Sequence, residues 1–147
     1  MHIINYRWQL WKLQRELASL SRAGDKRHAE AKKAGASHEE LEKIYWDERL
    51  DLDIVEDEIN FLETRYLREE AQRLLLAEPE FKEEDKGGLW KKSRISGRLF
   101  LNPEGLAQLR ATIRKEKRER REAVVFWLAA VTGVIGALTG LVSTLMK

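Results

Sequence analysis

Residues 123–146, AVVFWLAAVTGVIGALTGLVSTLM, run for 24 positions without a charged side chain. As an α-helix this run is about 36 Å long, against a hydrocarbon core of about 30 Å. Its eleven Leu, Ile, Val and Phe residues favour transfer into a bilayer by roughly 3 to 7 kcal/mol, before the smaller costs of Thr, Ser and Gly. The rival is a buried core helix. Such helices seldom run so long uncharged, and the remaining chain, which carries every charge except Lys147, is too polar to enclose one. The sequence therefore predicts a single membrane-spanning helix.

The flanks predict its direction. Arg110, Arg114, Lys115, Lys117, Arg118, Arg120 and Arg121 crowd the N-terminal side and only Lys147 lies beyond, so the excess of cations keeps residues 1–122 in the cytoplasm of a cell whose inner membrane holds the span. The first sixteen residues carry no apolar core of signal-peptide length and are interrupted by Arg7 and Lys12. With no cysteine anywhere in 147 residues, disulfide scaffolds, thiolate metal sites and cysteine nucleophiles are excluded together.

Before the span the periodicity is helical. Ile3, Tyr6, Leu10, Leu13, Leu17 and Leu20 recur at alternating steps of three and four, the seam of a coiled-coil-like helix. Its far half, beyond Gly24, lacks large apolar residues, and Gly35 reads as its stop. Ser37 with Glu40 makes a capping box for a second helix, with Leu41, Tyr45, Leu52, Val55, Ile59, Leu62 and Tyr66 on its seam and Pro79 ending it after about Ala77. The expectation is mainly α: a long antiparallel helical hairpin over residues 1–78, a loop and small β-hairpin over 79–102, a basic juxtamembrane helix over 103–122, and the span over 123–146, in an oligomer.

Charge is segregated along the chain, with net +5 in residues 1–36, −11 in 37–86 and +8 in 87–147. The carboxylates Asp47, Glu48, Asp51, Asp53, Glu56, Asp57 and Glu58 are read as a stripe facing Arg15, Arg22, Lys26 and Arg27 across the hairpin. A metal cage needs ligands converging from several elements, so no metal or other cofactor is expected. Trp8, Trp11 and Trp46 fall off the seams. A bare hairpin would expose them, so the segment after Pro79 and a neighbouring copy are both expected to cover them.

After Pro79, Lys82 to Gly88 reads as a polar loop. Leu89 to Ile95 and Arg98 to Leu101 flank Ser96-Gly97 as a β-hairpin with a tight turn. Asn102-Pro103 reads as N-cap and N1 of a third helix packed through Leu106, Leu109 and Ile113, running unbroken into the bilayer. Within the hairpin Trp90, Lys91, Lys92, Arg94 and Arg98 mix aromatic and basic side chains, a composition that stacks bases and neutralises phosphates. Two readings stand: a nucleotide or oligonucleotide ligand, or a hairpin packed on the helices with its cations near anionic lipid or the acidic helix.

His2, His28 and His38 are isolated, and no nucleophile, phosphate-loop or metalloprotease spacing occurs, so no enzyme is expected. In the span, Ala129, Thr132, Gly133, Gly136, Thr139, Gly140 and Ser143 form one stripe of small or hydroxyl residues that includes a GxxxG pair. Such a stripe lets helix backbones approach and self-associate. In a bundle of four or more it would instead line a narrow pathway.

The run Gly97-Arg98-Leu99-Phe100-Leu101-Asn102-Pro103-Glu104-Gly105, continued through Leu109-Arg110, Ile113-Arg114 and Glu116 into a Gly/Thr-rich span, resembles a loose group of small bacterial C-terminally anchored single-span membrane proteins. Some of these resemble channel effectors of anti-phage defence. The resemblance covers about a third of the chain. It implies a homo-oligomeric gated pore controlled by its cytoplasmic domain. The competing expectation is a tail-anchored scaffold that brings a partner protein to the bilayer without conducting. The topology has a direct check: protease added outside intact cells should leave residues 1–122 undigested, and cleavage of the N-terminal helices there would refute the orientation.

Overall fold

The computed structural model describes residues 3–79, 81 and 88–145, with the side chains of the last helix described as far as Gly136. The fold is mainly helical with one two-stranded sheet: α1 (Ile3–Lys33), α2 (His38–Arg73), β1 (Trp90–Lys92), β2 (Leu99–Leu101) and α3 (Pro103–Leu145). Two compact units divide it, Met1–Leu109 and Arg110–Lys147, so the boundary falls inside α3.

In the first unit α1 and α2 form the expected antiparallel hairpin. Tyr6 stacks on Tyr66 with ring centroids 3.9 Å apart; burial of the Tyr66 hydroxyl, assisted by the nearby Glu70 carboxylate, raises its pKa above the usual tyrosine value. The weak far half of α1 is continuous helix to Lys33, and Gly24 does not interrupt it. It falls four residues after Leu20, the next step of the seam, and is the one buried residue of the helix. A Cβ there would lie 2.7 Å from the Glu48 carboxylate, the far end of a side chain that can swing aside, so Gly24 sits within the helix–helix contact without breaking the helix.

Both helix ends are closed by the same device. The Ala36 N–H donates to Ala31 O and the Gly35 N–H to Lys32 O, with Gly35 at φ 78°. The Leu76 N–H donates to Ala71 O and the Leu75 N–H to Gln72 O, with Leu75 at φ 60°. These are paired 6→1 and 5→2 closures. They end α2 at Arg73, with Leu74 as C-cap, four residues before the expected Ala77, because Leu75 turns left-handed well ahead of Pro79. At the front of α2 the capping box is present. The Ser37 N–H donates to Glu40 Oε2 at 2.8 Å and the Glu40 N–H to Ser37 Oγ at 3.3 Å, and the first of these bonds holds the Glu40 carboxyl below its ordinary pKa.

The β-hairpin is shorter, and its turn wider, than expected. Trp90 pairs with Leu101, Lys91 with Phe100 and Lys92 with Leu99. The connection is not a two-residue turn at Ser96-Gly97 but a four-residue loop closed by the Ser93 N–H donating to Arg98 O at 2.8 Å. Ser93 organises it, its Oγ accepting from the N–H groups of Ile95 (3.1 Å) and Ser96 (2.9 Å). The expected loop over Lys82 to Gly88 lies, except for Gly88, outside the described residues.

The deepest burial lies away from the α1–α2 seam. Phe61, Thr64, Leu67 and Ala71 of α2 are buried together with Phe100 and Leu101 of β2 and Leu106 and Leu109 of α3. Phe61 meets Phe100 edge-to-face at 5.4 Å, and the Leu101 N–H donates to Thr64 Oγ1 at 3.0 Å. Asn102 caps α3, accepting from the Gly105 N–H at 2.7 Å. Gly105 is obligatory at that turn, since a Cβ would stand 2.7 Å from Leu89 O.

In the second unit α3 carries i,i+4 ion pairs, Arg120–Glu116 and Arg118–Glu122 at 2.7 Å and Lys115–Glu119 at 3.9 Å. Among the described residues no helix is long and apolar enough to cross a membrane; the described side chains stop at Gly136, short of the last ten positions of the uncharged run.

Replacing Leu75, which is 90% exposed, by Gly should raise stability by about 0.5 to 1 kcal/mol, because it removes the left-handed penalty at the cost of little packing. Gly35→Ala should lower it by a similar amount. Urea midpoints at constant m would check both.

Candidate functional site

The two groups of residues that the sequence marks for function lie in different units. Of the aromatic and basic set on the β-hairpin, Trp90 is structural: its Nε1–H donates to Pro79 O at 3.0 Å, and the Arg68 guanidinium lies 5.7 Å over its ring. Arg68 also pairs with Glu78 at 2.6 Å, so this cluster straps the chain leaving α2 back onto the helix. Arg98 is likewise engaged. Its guanidinium stacks 4.0 Å over Phe61 and reaches Glu58 at 3.3 Å.

Lys91, Lys92 and Arg94 line one hollow of about 260 Å³ against α2. Asp53, Glu56 and Asp57 line it too. Arg49 neutralises two of these, at 2.8 Å to Asp53 and 3.7 Å to Glu56, and Asp57 accepts the Ser93 hydroxyl. A phosphate entering here meets three cations of the hairpin with carboxylates behind them, an arrangement that suits docking of the hairpin on an acidic helix better than a phosphate cradle.

The acidic stripe of α2 is used differently from the expectation. Of the four α1 cations assigned to it, Arg27 crosses to Glu48 at 3.6 Å. Arg22 donates to Ala18 O, Lys26 pairs with Glu30, and Arg15 lies 4.8 Å over the Trp11 ring, all within α1. The physical reason is reach: i,i+4 partners lie on the same helix face, whereas these side chains point away from the seam. Among the described residues no group of three or more His, Asp or Glu is placed to hold a metal ion.

Of the small-residue stripe, Ala129, Thr132, Gly133 and Gly136 lie on one side of α3; for Thr139, Gly140 and Ser143 the side chains lie outside the described residues. A Cβ at Gly133 or Gly136 would meet nothing within 4 Å, so this face is open to another helix. Thr132 satisfies its own hydroxyl, donating to Leu128 O at 2.8 Å.

One feature escaped the sequence reading. A groove of about 990 Å³ runs between α1, α2 and the hairpin turn, with Trp8, Lys12, Phe61, Arg65, Arg98 and Leu99 among its walls. Its walls come from three separate elements, and no spacing in the sequence announces that they converge.

No family model, no curated protein and no solved structure matches this chain.

If the hairpin cations serve docking, Ser93 matters more than they do. Ser93→Ala removes three hydrogen bonds around a buried position and should cost about 2 kcal/mol or more. Lys92→Ala and Arg94→Ala, both exposed, should each stay within about 0.5 kcal/mol of the parent. Thermal melts of the three variants would decide.

Proposed function

We propose that this chain is a single-span membrane protein that self-associates through its small-residue stripe and acts as a gated pore, with the helical unit on the cytoplasmic side controlling it. One observation carries the reading: around α3 from Val124 to Ile135 the large apolar side chains are exposed on every side of the helix, Phe126 at 72%, Trp127 at 69% and Val125 at 65%. A helix that is apolar all round needs an apolar solvent or partners on all sides. Lipid supplies that surrounding on the broad faces, and a second helix supplies it on the narrow face of Ala129, Thr132, Gly133 and Gly136.

The preceding segment fits the same reading. Between Arg110 and Glu122 seven cations stand against three glutamates, leaving positive charge where a helix would meet an anionic leaflet, at about 1 kcal/mol for each cation near the surface. In the pore, hydroxyl and glycine positions face the axis and the larger side chains face lipid. The resemblance to a group of small single-span membrane proteins, some of which resemble channel effectors of phage defence, is consistent with a pore whose opening harms the host cell.

Thr132 favours a second reading, the non-conducting scaffold. A hydroxyl whose proton is already donated to its own helix needs no further acceptor, so the stripe also suits dry packing.

Reconstituted full-length protein should make liposomes permeable to monovalent ions, and Gly136→Leu should abolish the current by blocking close approach of the helices. Stable insertion without current would leave the scaffold. Release of the protein from membranes by alkaline carbonate would refute both.

A further inference from the structure

Helix α2 has two apolar faces. One is the seam toward α1. The other lies on the opposite side and runs through Trp46, Leu50, Ile54, Phe61, Thr64 and Ala71, and the protein covers only its second half. Phe61, Thr64 and Ala71 are 8, 3 and 0% exposed, whereas Trp46, Leu50 and Ile54 are 61, 53 and 43% exposed. The ridge that packs on the β-hairpin thus continues uncovered toward the start of α2.

Helix α1 carries a matching ridge. Ile4, Trp8, Trp11 and Arg15 advance by four, three and four residues, which places them within about 60° of arc on the side away from the seam. The three apolar members are 73, 59 and 52% exposed. The apolar parts of the ridges, residues 4–11 and 46–54, are each about 10 to 12 Å long.

Their charged surroundings are opposite. Arg7, Lys12 and Arg15 surround the α1 ridge, with Arg15 lying on the Trp11 ring. Glu42, Asp47 and Asp51 border the α2 ridge and outnumber Lys43, while Asp53 is already paired with Arg49 at 2.8 Å; the Trp46 Nε1–H donates to Glu42 at 3.4 Å. Pairing α1 with α1 would set cations against cations, and pairing α2 with α2 carboxylates against carboxylates. Only the mixed pairing joins apolar surface to apolar surface and opposite charge to opposite charge.

We infer that the α1 ridge of one copy docks on the uncovered half of the α2 ridge of a second copy. The ridges face opposite sides of the hairpin, so both cannot be filled by one neighbour. The contact is head to tail and continues from copy to copy, into a closed ring or an open row. It involves only the first unit and does not rest on the membrane reading.

The native chain has no cysteine, which makes the test clean. Full-length Ile4→Cys and Leu50→Cys proteins, differently tagged and mixed in detergent, are treated with a bismaleimide spanning about 10 Å. Ile4 stands one turn from Trp8, which lies opposite Leu50 whichever way the two helices run. A mixed cross-linked dimer is expected, and a chain carrying both cysteines should give a ladder beyond the dimer. Adding Lys12→Glu and Arg15→Glu to the Ile4→Cys chain should cut the mixed yield at least fivefold. Adding Asp47→Lys and Asp51→Lys to its Leu50→Cys partner should then restore it.

Absence of a mixed cross-link, or a yield indifferent to both charge reversals, would overturn the proposal and assign the ridges to another protein. Unchanged helical circular dichroism in every variant separates this from misfolding. Because the readout is a contact between first units, it can fail while carbonate extraction still shows an inserted span, and the reverse.

Discussion

The first unit depends on the contact between α2 and the strand that returns to it. Thr64 stands on the outer face of α2 and accepts the N–H of Leu101, which ties the backbone of β2 to the helix. Phe61 and Phe100 close beside it, and Ser93 and Arg98 add polar ties to Asp57 and Glu58 at the turn end. A hydrogen bond from a buried backbone N–H to a side chain has no substitute once water is excluded, so losing the Thr64 hydroxyl would cost far more than an exposed ion pair contributes. With β2 held there, Asn102 and Gly105 set where α3 begins.

This contact also explains how the charges are used. An acidic second helix between two basic segments suggests long-range pairing, yet most of the exposed pairs are local, formed within one helix at i,i+4. Such pairs hold each helix's own surface and contribute little to tertiary stability. Among the described residues Arg27 to Glu48 and Arg98 to Glu58 join elements, and each lies beside a packed feature, Gly24 in one case and Phe61 in the other. Of the β-hairpin cations Arg98 has a structural cause in the Glu58 it reaches, while Lys91, Lys92 and Arg94 line a hollow whose carboxylates are held by Arg49 and Ser93.

Among the described residues three apolar surfaces remain open in a single copy: the α1 ridge, the first half of the second α2 face, and α3 from Val124 to Ile135. Monomeric proteins seldom leave so much uncovered. The ridges are narrow, bordered by charge and mutually complementary, which suits contact between copies. The α3 surface is broad, uncharged and unbordered, which suits lipid. These differences in shape and border underlie the separate proposals made for them.

The sequence by itself determined the elements whose causes are local. The 3–4 seams, the Ser37–Glu40 box, the Gly35 stop and the Asn102-Pro103 start each rest on side chains within a few residues of the backbone they govern; the box, the stop and the start stand where they were read, and the seams do so except at Ile3 and Tyr45, which are 52 and 54% exposed. The off-seam position of the tryptophans was also legible, since helical periodicity alone decides which side of α1 and α2 they occupy, but the described part of the segment after Pro79 does not supply the expected cover: Trp8, Trp11 and Trp46 are 59, 52 and 61% exposed. What the tertiary structure alone decided depends on partners distant in sequence. Leu75 adopts a conformation that no residue preference anticipates, Ser93 rather than Ser96-Gly97 organises the turn because Asp57 waits beside it, and Arg98 lies on Phe61 instead of facing solvent. Gly24, which reads as a weak point, is buried within the hairpin contact, because the Glu48 carboxylate arrives from the neighbouring helix.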